Sequence, residues 1–308
     1  MQLFAPSYYS KFKCTADKCK HTCCVGWEID IDPEAIERFS SLDAESAQAI
    51  LATIEQGDDN TPHFRLCENG NCPHLNENGL CRLILKHGED ILCDICREHP
   101  RFYNYIGNIA EVGIGASCEE ACRIILQADD YITMVQIGSV SGNCNAQSEE
   151  FDALSERANI YSILSNKTIP YKERLSKLYN DYDISPDMLT DDEWHSVLTY
   201  LEYLNEAHKS LFLSYSSKTE NAKNAEVYLE RFLAYLIYRH ASCSVSMSDF
   251  RARLGFCFFC ERLFSSLLSA LDHISVAEAI KIAIILSEEI EYSLENTETI
   301  IGEFDFLI

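Results

Sequence analysis

Eleven of the fifteen cysteines in this 308-residue chain fall between Cys14 and Cys122, and only four lie beyond. Two kinds of architecture crowd cysteines in this way, disulfide scaffolds and thiolate metal sites. The opening residues, MQLFAPSYYSKFK, contain neither the apolar core nor the small-residue cleavage site of a secretory leader. The expected compartment is therefore the cytoplasm, where thiols stay reduced and dense cysteines serve metals. An odd cysteine total also leaves a disulfide framework incomplete.

The spacing forms two groups. The first is Cys14-x4-Cys19-x3-Cys23-Cys24. The second is Cys67-x4-Cys72-x8-Cys81-x11-Cys93-x2-Cys96, followed by His99 and then Cys118-x3-Cys122. Short spacings let one turn present two sulfurs, and a distant cysteine then closes the site and ties two segments together. Soft thiolates select iron–sulfur clusters, zinc or copper(I). Simple zinc sites repeat close pairs, and here only Cys93-x2-Cys96 has that form. Iron–sulfur sites accept looser spacing and are favoured, with zinc as the alternative. The candidate ligands are Cys14, Cys19, Cys23, Cys24, Cys72, Cys81, Cys93, Cys96 and Cys118. Cys118 would sit at the start of a helix, where N–H groups stabilise a thiolate, so ligation and reactivity are both open to it. His99 is a further candidate ligand, and Arg101 a candidate for bidentate carboxylate binding. A radical-type methyl-donor loop, CxxxCxxC, is excluded: the third position is Gly26 after Cys23 and Ile125 after Cys122.

The remaining pattern predicts a mainly α (α+β) chain. A cysteine-rich region with short strands and helices, residues 1–138, precedes a helical array over 150–308. The polar stretch GSVSGNCNAQSEE separates them. Asp32-Pro33 reads as the cap and first residue of a helix, and a second helix is expected over 44–55. Leu80–His87 reads as a short helix ended by Gly88. Tyr103–Gly115 reads as a hairpin turning at Gly107-Asn108. Ser117 with Glu120 would form a capping box for the next helix. Six helices follow, at 151–165, 171–181, 191–205, 222–241, 248–273 and 276–294. Cys257-x2-Cys260 lies in an apolar helical run and reads as core.

Composition narrows the partners. A formal charge of −24, from 49 acidic and 25 basic side chains, argues against nucleic acid, which needs a basic patch. It would attract a lysine-bearing partner. No apolar run approaches the roughly 20 residues that span a bilayer.

Phe12-Lys13-Cys14, Cys19-x3-Cys23-Cys24-x2-Trp27 and Ile29 resemble the opening of the flagellin lysine N-methylase family. So does Leu92-Cys93-x2-Cys96-x2-His99-Pro100-Arg101-Phe102, continued by Asn108-x2-Glu111 and Ser117-Cys118-x2-Ala121-Cys122. The resemblance covers residues 3 to 130, with a weaker echo in Tyr235–His240. The paired-cysteine opening with Cys72-x8-Cys81 also resembles a wider group of zinc- or iron-chelating cysteine-cluster proteins. The family resemblance implies methyl transfer from S-adenosylmethionine to lysine ε-amines of flagellin, and a 4Fe-4S cluster in the cysteine-rich half. The alternative is a non-enzymatic zinc- or iron-binding protein.

Methyl transfer needs a neutral amine, whereas free lysine titrates near ~10.4, so a base or a desolvated aromatic channel is required. Tyr103, Tyr105 and Glu111 lie nearest the cysteine blocks and are the catalytic candidates, against packed or solvated roles for each. Gly113-x-Gly115 follows a strand-like run and precedes a helix, so both glycines are candidates for donor binding. The full three-glycine fingerprint is absent, and a tight-turn role is the competing reading.

Overall fold

The computed structural model describes residues 1–15, 18–21, 29–57, 60–141, 151–218, 225–271 and 273–308. Cys23, Cys24 and Trp27, and the polar stretch from 142 to 150, lie outside these residues. The chain is 56% helical and 12% strand, the mainly α (α+β) class expected.

It divides into two compact units. One comprises residues 14–101, and the other combines 1–13 with 102–308. This differs from the expected division at 138–150. The reason is a strand order that sequence spacing does not reveal. Strand β1 (Gln2–Pro6) pairs in parallel with β5 (Ile109–Ile114), Leu3 opposite Ala110, and antiparallel with β6 (Met134–Ser139). With β4 (Arg101–Ile106) the sheet order is β4-β5-β1-β6. The first residues therefore belong with the helical part, and the segment between them forms its own unit.

The smaller unit starts where local signals predicted. Helix α1 (Pro33–Ser40) is capped by Asp32, whose carboxylate accepts from the Ala35 N–H at 2.7 Å. The same carboxylate accepts from the Asp94 N–H at 2.6 Å, joining α1 to α4 (Asp94–Glu98). Helix α2 (Ala44–Leu51) stops short of residue 55, because Ile54–Gln56 forms β2 against β3 (Pro62–Phe64). Helix α3 (Arg82–His87) ends at Gly88 with φ +83, a left-handed cap that favours glycine. The core is Ile29, Ile31, Phe39, Ile50, Phe64 and Leu83, with the buried Cys72 and Cys93.

In the larger unit, β4 and β5 form the expected hairpin, and Gly107 turns it with φ +54. The predicted capping box does not form. Helix α5 (Glu119–Gln127) begins one residue later, with Cys118 as its cap and no side-chain cap bond. Glu120 instead receives two hydrogen bonds from Arg123, at 2.7 and 2.6 Å. The helices that follow are α6 (Ala153–Leu164), α7 (Tyr171–Tyr182), α8 (Asp191–Tyr200) and α9 (Glu206–Phe212). They are succeeded by α10 (Glu226–Leu236), α11 (Met247–Ser269), α12 (Val276–Leu286) and α13 (Leu294–Leu307). The run expected over 191–205 breaks because Asn296 and Glu289 take the backbone N–H groups of Glu202, Leu204 and Asn205. Helix α11 is the hub of the core: Phe256, Cys257, Phe258, Phe259 and Cys260 are buried, and Trp194 stacks on Phe259 at 3.6 Å. Among the described residues, no helix is long and apolar enough to cross a membrane.

Candidate functional site

Within residues 14–101, folding gathers part of the second cysteine group. Cys72 and Cys93 are buried, Cys81 and Cys96 are half-buried, and Cys67 is exposed. Burial pushes the Cys72 thiol up to about 11, and the nearby Cys81, Cys93 and Cys67 add to the shift. Cys93 moves the other way: its side chain and the Cys96 thiol and N–H are hydrogen-bonded, which outweighs its burial. The described cysteines carry no disulfide. Several thiols facing one another cannot all ionise without a cation, and soft divalent metals or iron–sulfur clusters provide one. In this respect the donor set fits a thiophilic centre. Among the described residues, however, no three Cys, His, Asp or Glu side chains stand in a ligand arrangement. Cys67, outside the ligand set read from the sequence, is brought near Cys72 by the turn at Asn69-Gly70, with Gly70 at φ +76. Cys14 is exposed and Cys19 half-buried, with its thiol donating to the His21 carbonyl at 2.9 Å. Cys118 belongs to the larger unit, where Cys122 follows one turn later and is buried.

The larger unit contains a cavity of ≈ 670 Å³. Two π-helical turns, Ile237–Ala241 after α10 and Ser287–Glu291 after α12, supply its inner wall. A π turn adds a residue to a helix and frees a carbonyl, so it needs outside donors. Asn104 on β4 donates to the Tyr238 carbonyl at 3.0 Å, while Asn296 and Thr297 on α13 donate to the Glu289 and Ile290 carbonyls at 2.6 and 2.8 Å. The turns thereby aim Arg239, His240 and Glu291 at one place. His240 Nε2 lies 2.9 Å from Glu291 Oε2, and Arg239 Nε lies 3.6 Å from the same oxygen. Arg239 donates to the Tyr235 hydroxyl at 2.9 Å and rests between the rings of Phe102 and Tyr292, 5.0 and 4.4 Å away.

Electrostatics follow from this packing. Burial would raise the Glu291 carboxyl, but Arg239 and His240 reverse the effect and hold it below its usual range, so it is ionised. Burial lowers His240, with Arg239 and Arg253 acting in the same direction against Glu291, so the imidazole is neutral. The neighbouring Ser287 hydroxyl also favours the Glu291 anion.

The other candidates are placed as follows. Tyr103 and Tyr105 are exposed on β4. Glu111 is buried on β5 and accepts two hydrogen bonds from Arg157, at 2.7 and 2.6 Å. Gly113 and Gly115 admit neighbouring rings. A Cβ at Gly113 would meet Phe102 at 2.3 Å, and one at Gly115 would meet the Tyr292 hydroxyl at 2.1 Å. Their lack of side chains is thus what lets Phe102, Tyr292 and Arg239 take their places beside the cavity. Sequence reading missed Glu291. The available signal was two charged patches, Arg239-His240 and Glu288–Glu291, each closing an apolar helical run.

Comparison with known proteins bears on this arrangement. Over 141 residues, 44% of this chain, the sequence is 27% identical to the flagellar biosynthetic protein FliU of Salmonella muenchen, covering 83% of that protein. Over 134 residues, 42% of the chain, it is 26% identical to lysine-N-methylases of Salmonella typhimurium and Salmonella choleraesuis. The chain spans about a third of the length of these two, 33% of each. The resemblance to the lysine N-methylase family read from the cysteine blocks is therefore shown in these relatives. No protein-family model and no solved structure matches the chain.

Proposed function

We propose that this chain is a protein-lysine N-methyltransferase that moves methyl groups from S-adenosylmethionine to lysine ε-amines of flagellin in the cytoplasm. The observation that carries the reading is the match to two lysine-N-methylases and a flagellar biosynthetic protein. The net charge of −24 supports it, because an acidic surface attracts a lysine-bearing partner. The methyl donor supplies an electrophilic carbon, and the protein must desolvate the lysine and accept its proton.

A 4Fe-4S cluster, or zinc as the alternative, is proposed for the cysteine-rich unit. Cys72, Cys81, Cys93 and Cys96 would hold it, with Cys67 beside them. Bound there, it would supply a cross-link between the 67–81 loop and α4, contributing its binding free energy to the fold of that unit. A non-enzymatic metal-binding protein is the second reading. It is favoured by the gathering of Cys67, Cys81 and Cys93 around the buried Cys72.

The test is mass spectrometry of flagellin incubated with the purified protein and the donor. The expected result is a mass increase of one CH2 per methyl on lysine. Unchanged flagellin, with metal still bound, would favour the second reading.

A further inference from the structure

The geometry points to the cavity between the two π-helical turns as the port for the substrate's lysine side chain, with His240 accepting the proton that the ε-ammonium loses. This rests on the methyltransferase reading and assigns that activity a site.

Charge comes first. Asp249 is tied to Arg253 at 2.7 Å, and Glu291 to Arg239 and His240. That leaves Glu298 and Asp305, two turns apart on α13, both lining the cavity and both exposed. Neither has an ion pair among the described residues, so the mouth is net negative and suits a cation. The walls suit methylenes: Phe102, Ala252 and Ile301 line the same space. An aliphatic chain ending in an ammonium matches this order, with carboxylates at the mouth, apolar walls inside and a polar floor. The ≈ 670 Å³ exceeds what one lysine side chain fills, leaving room for a second reactant.

The floor supplies the proton acceptor. Glu291 is 6% exposed and ionised, and a carboxylate only accepts hydrogen bonds, so His240 Nε2–H must donate. The Nδ1 atom of the neutral ring is then the basic nitrogen. The groups facing His240 are Glu291 and Arg239 from the π turns, and Arg253 and the Phe256 ring from α11. The guanidiniums of Arg239 and Arg253 are each matched by a carboxylate, so the floor does not repel a cation as two free charges would. The ammonium gives one proton to Nδ1. The amine lone pair then forms the N–CH3 bond as the donor's S–CH3 bond breaks, and that bond's electron pair stays on sulfur. The products are a methylated lysinium, the neutral thioether and an imidazolium held by Glu291.

The experiment uses the full chain, intact flagellin and a lysine-bearing flagellin peptide, with its lysine-to-glutamine counterpart as control. The exposed pair Glu298→Gln with Asp305→Asn should weaken calorimetric binding of the lysine peptide about tenfold and leave the control unaltered. His240→Asn should lower kcat about a hundredfold and remove the acid limb of the pH–rate profile. Equal binding of the lysine peptide by wild type and the double variant would overturn the port, whether or not the His240 variant folds. A fully active His240→Asn chain with the wild-type pH profile would overturn the proton acceptor. A wild-type chain that binds the peptide through these carboxylates but transfers no methyl group would remove the methyltransferase reading and keep the port.

Discussion

Replacing Glu111 by alanine should destabilise the larger unit without acting on chemistry directly. The Glu111 side chain is 3% exposed and that of Arg157 is 7% exposed. The guanidinium donates to both Glu111 oxygens and to the Ser242 hydroxyl at 2.6 Å. It also lies 5.2 Å from the Tyr238 ring. Burial on its own would lower the Arg157 pKa, but its bonds and charge contact with Glu111 outweigh that and raise it. Removing the carboxylate leaves a buried cation with one neutral acceptor, and breaking such a pair costs about 3–5 kcal/mol. Against a total stability of roughly 5–15 kcal/mol that is a large share. For a unit of this size it corresponds to a fall in Tm of about 6–20 °C. Circular dichroism melts of wild type, Glu111→Ala, Arg157→Ala and the double variant measure it. The double variant should be less destabilised than the sum of the single ones, because removing both partners leaves no orphan charge. A change in Tm below about 2 °C for Glu111→Ala would refute the reasoning. Lost methyl transfer at an unaltered Tm would instead make Glu111 a catalytic residue.

Burial pushes the Glu261 carboxyl up to about 7, against the opposing effects of Tyr171 and Arg262, so in the folded chain it stays protonated at mildly acidic pH. Its contribution is complete below the unfolded value near 4.5 and is lost as pH rises through about 7. Melts at pH 5 should therefore show more stability than those at pH 8, by about 2.5 kcal/mol from this group, and Glu261→Gln should reduce the difference. Gly115→Ala should displace Tyr292 and Arg239, costing about 1–3 kcal/mol of stability measured by urea unfolding. Gly302→Ala, inside helix α13 where a Cβ meets nothing within 4 Å, should instead stabilise by about 0.5–1 kcal/mol in the same assay. Cys72→Ser and Cys93→Ser should each reduce iron or zinc per chain in anaerobically purified protein, read by elemental analysis. Cys257→Ser, buried in the helical core, should leave metal content unaltered.

Local rules recovered much of the scaffold. Asp32-Pro33, the Gly107 turn and the Gly88 cap act within a few residues, through a carboxylate beside orphan N–H groups or a positive φ that only glycine adopts cheaply. The period of apolar residues likewise located α7, α10 and α11. Failures occurred where a distant group competed. Arg123 drew Glu120 away from the Ser117 box, and Asn296 and Glu289 ended α8 early by taking the N–H groups beyond it. The catalytic candidates were chosen by closeness along the chain to the cysteine blocks. Glu111 proved to be engaged by an arginine forty-six positions later.

By itself the sequence determined the mainly helical class, the cysteine blocks and their resemblance, and the acidic surface. Those depend on composition and on neighbours within a turn or two. Tertiary structure alone decided that the first thirteen residues complete the sheet of the larger unit. It also brought Arg239, His240 and Glu291 together across fifty residues. Strand partners and buried charge networks are selected by which distant groups can satisfy one another away from water, and no local pattern encodes that choice.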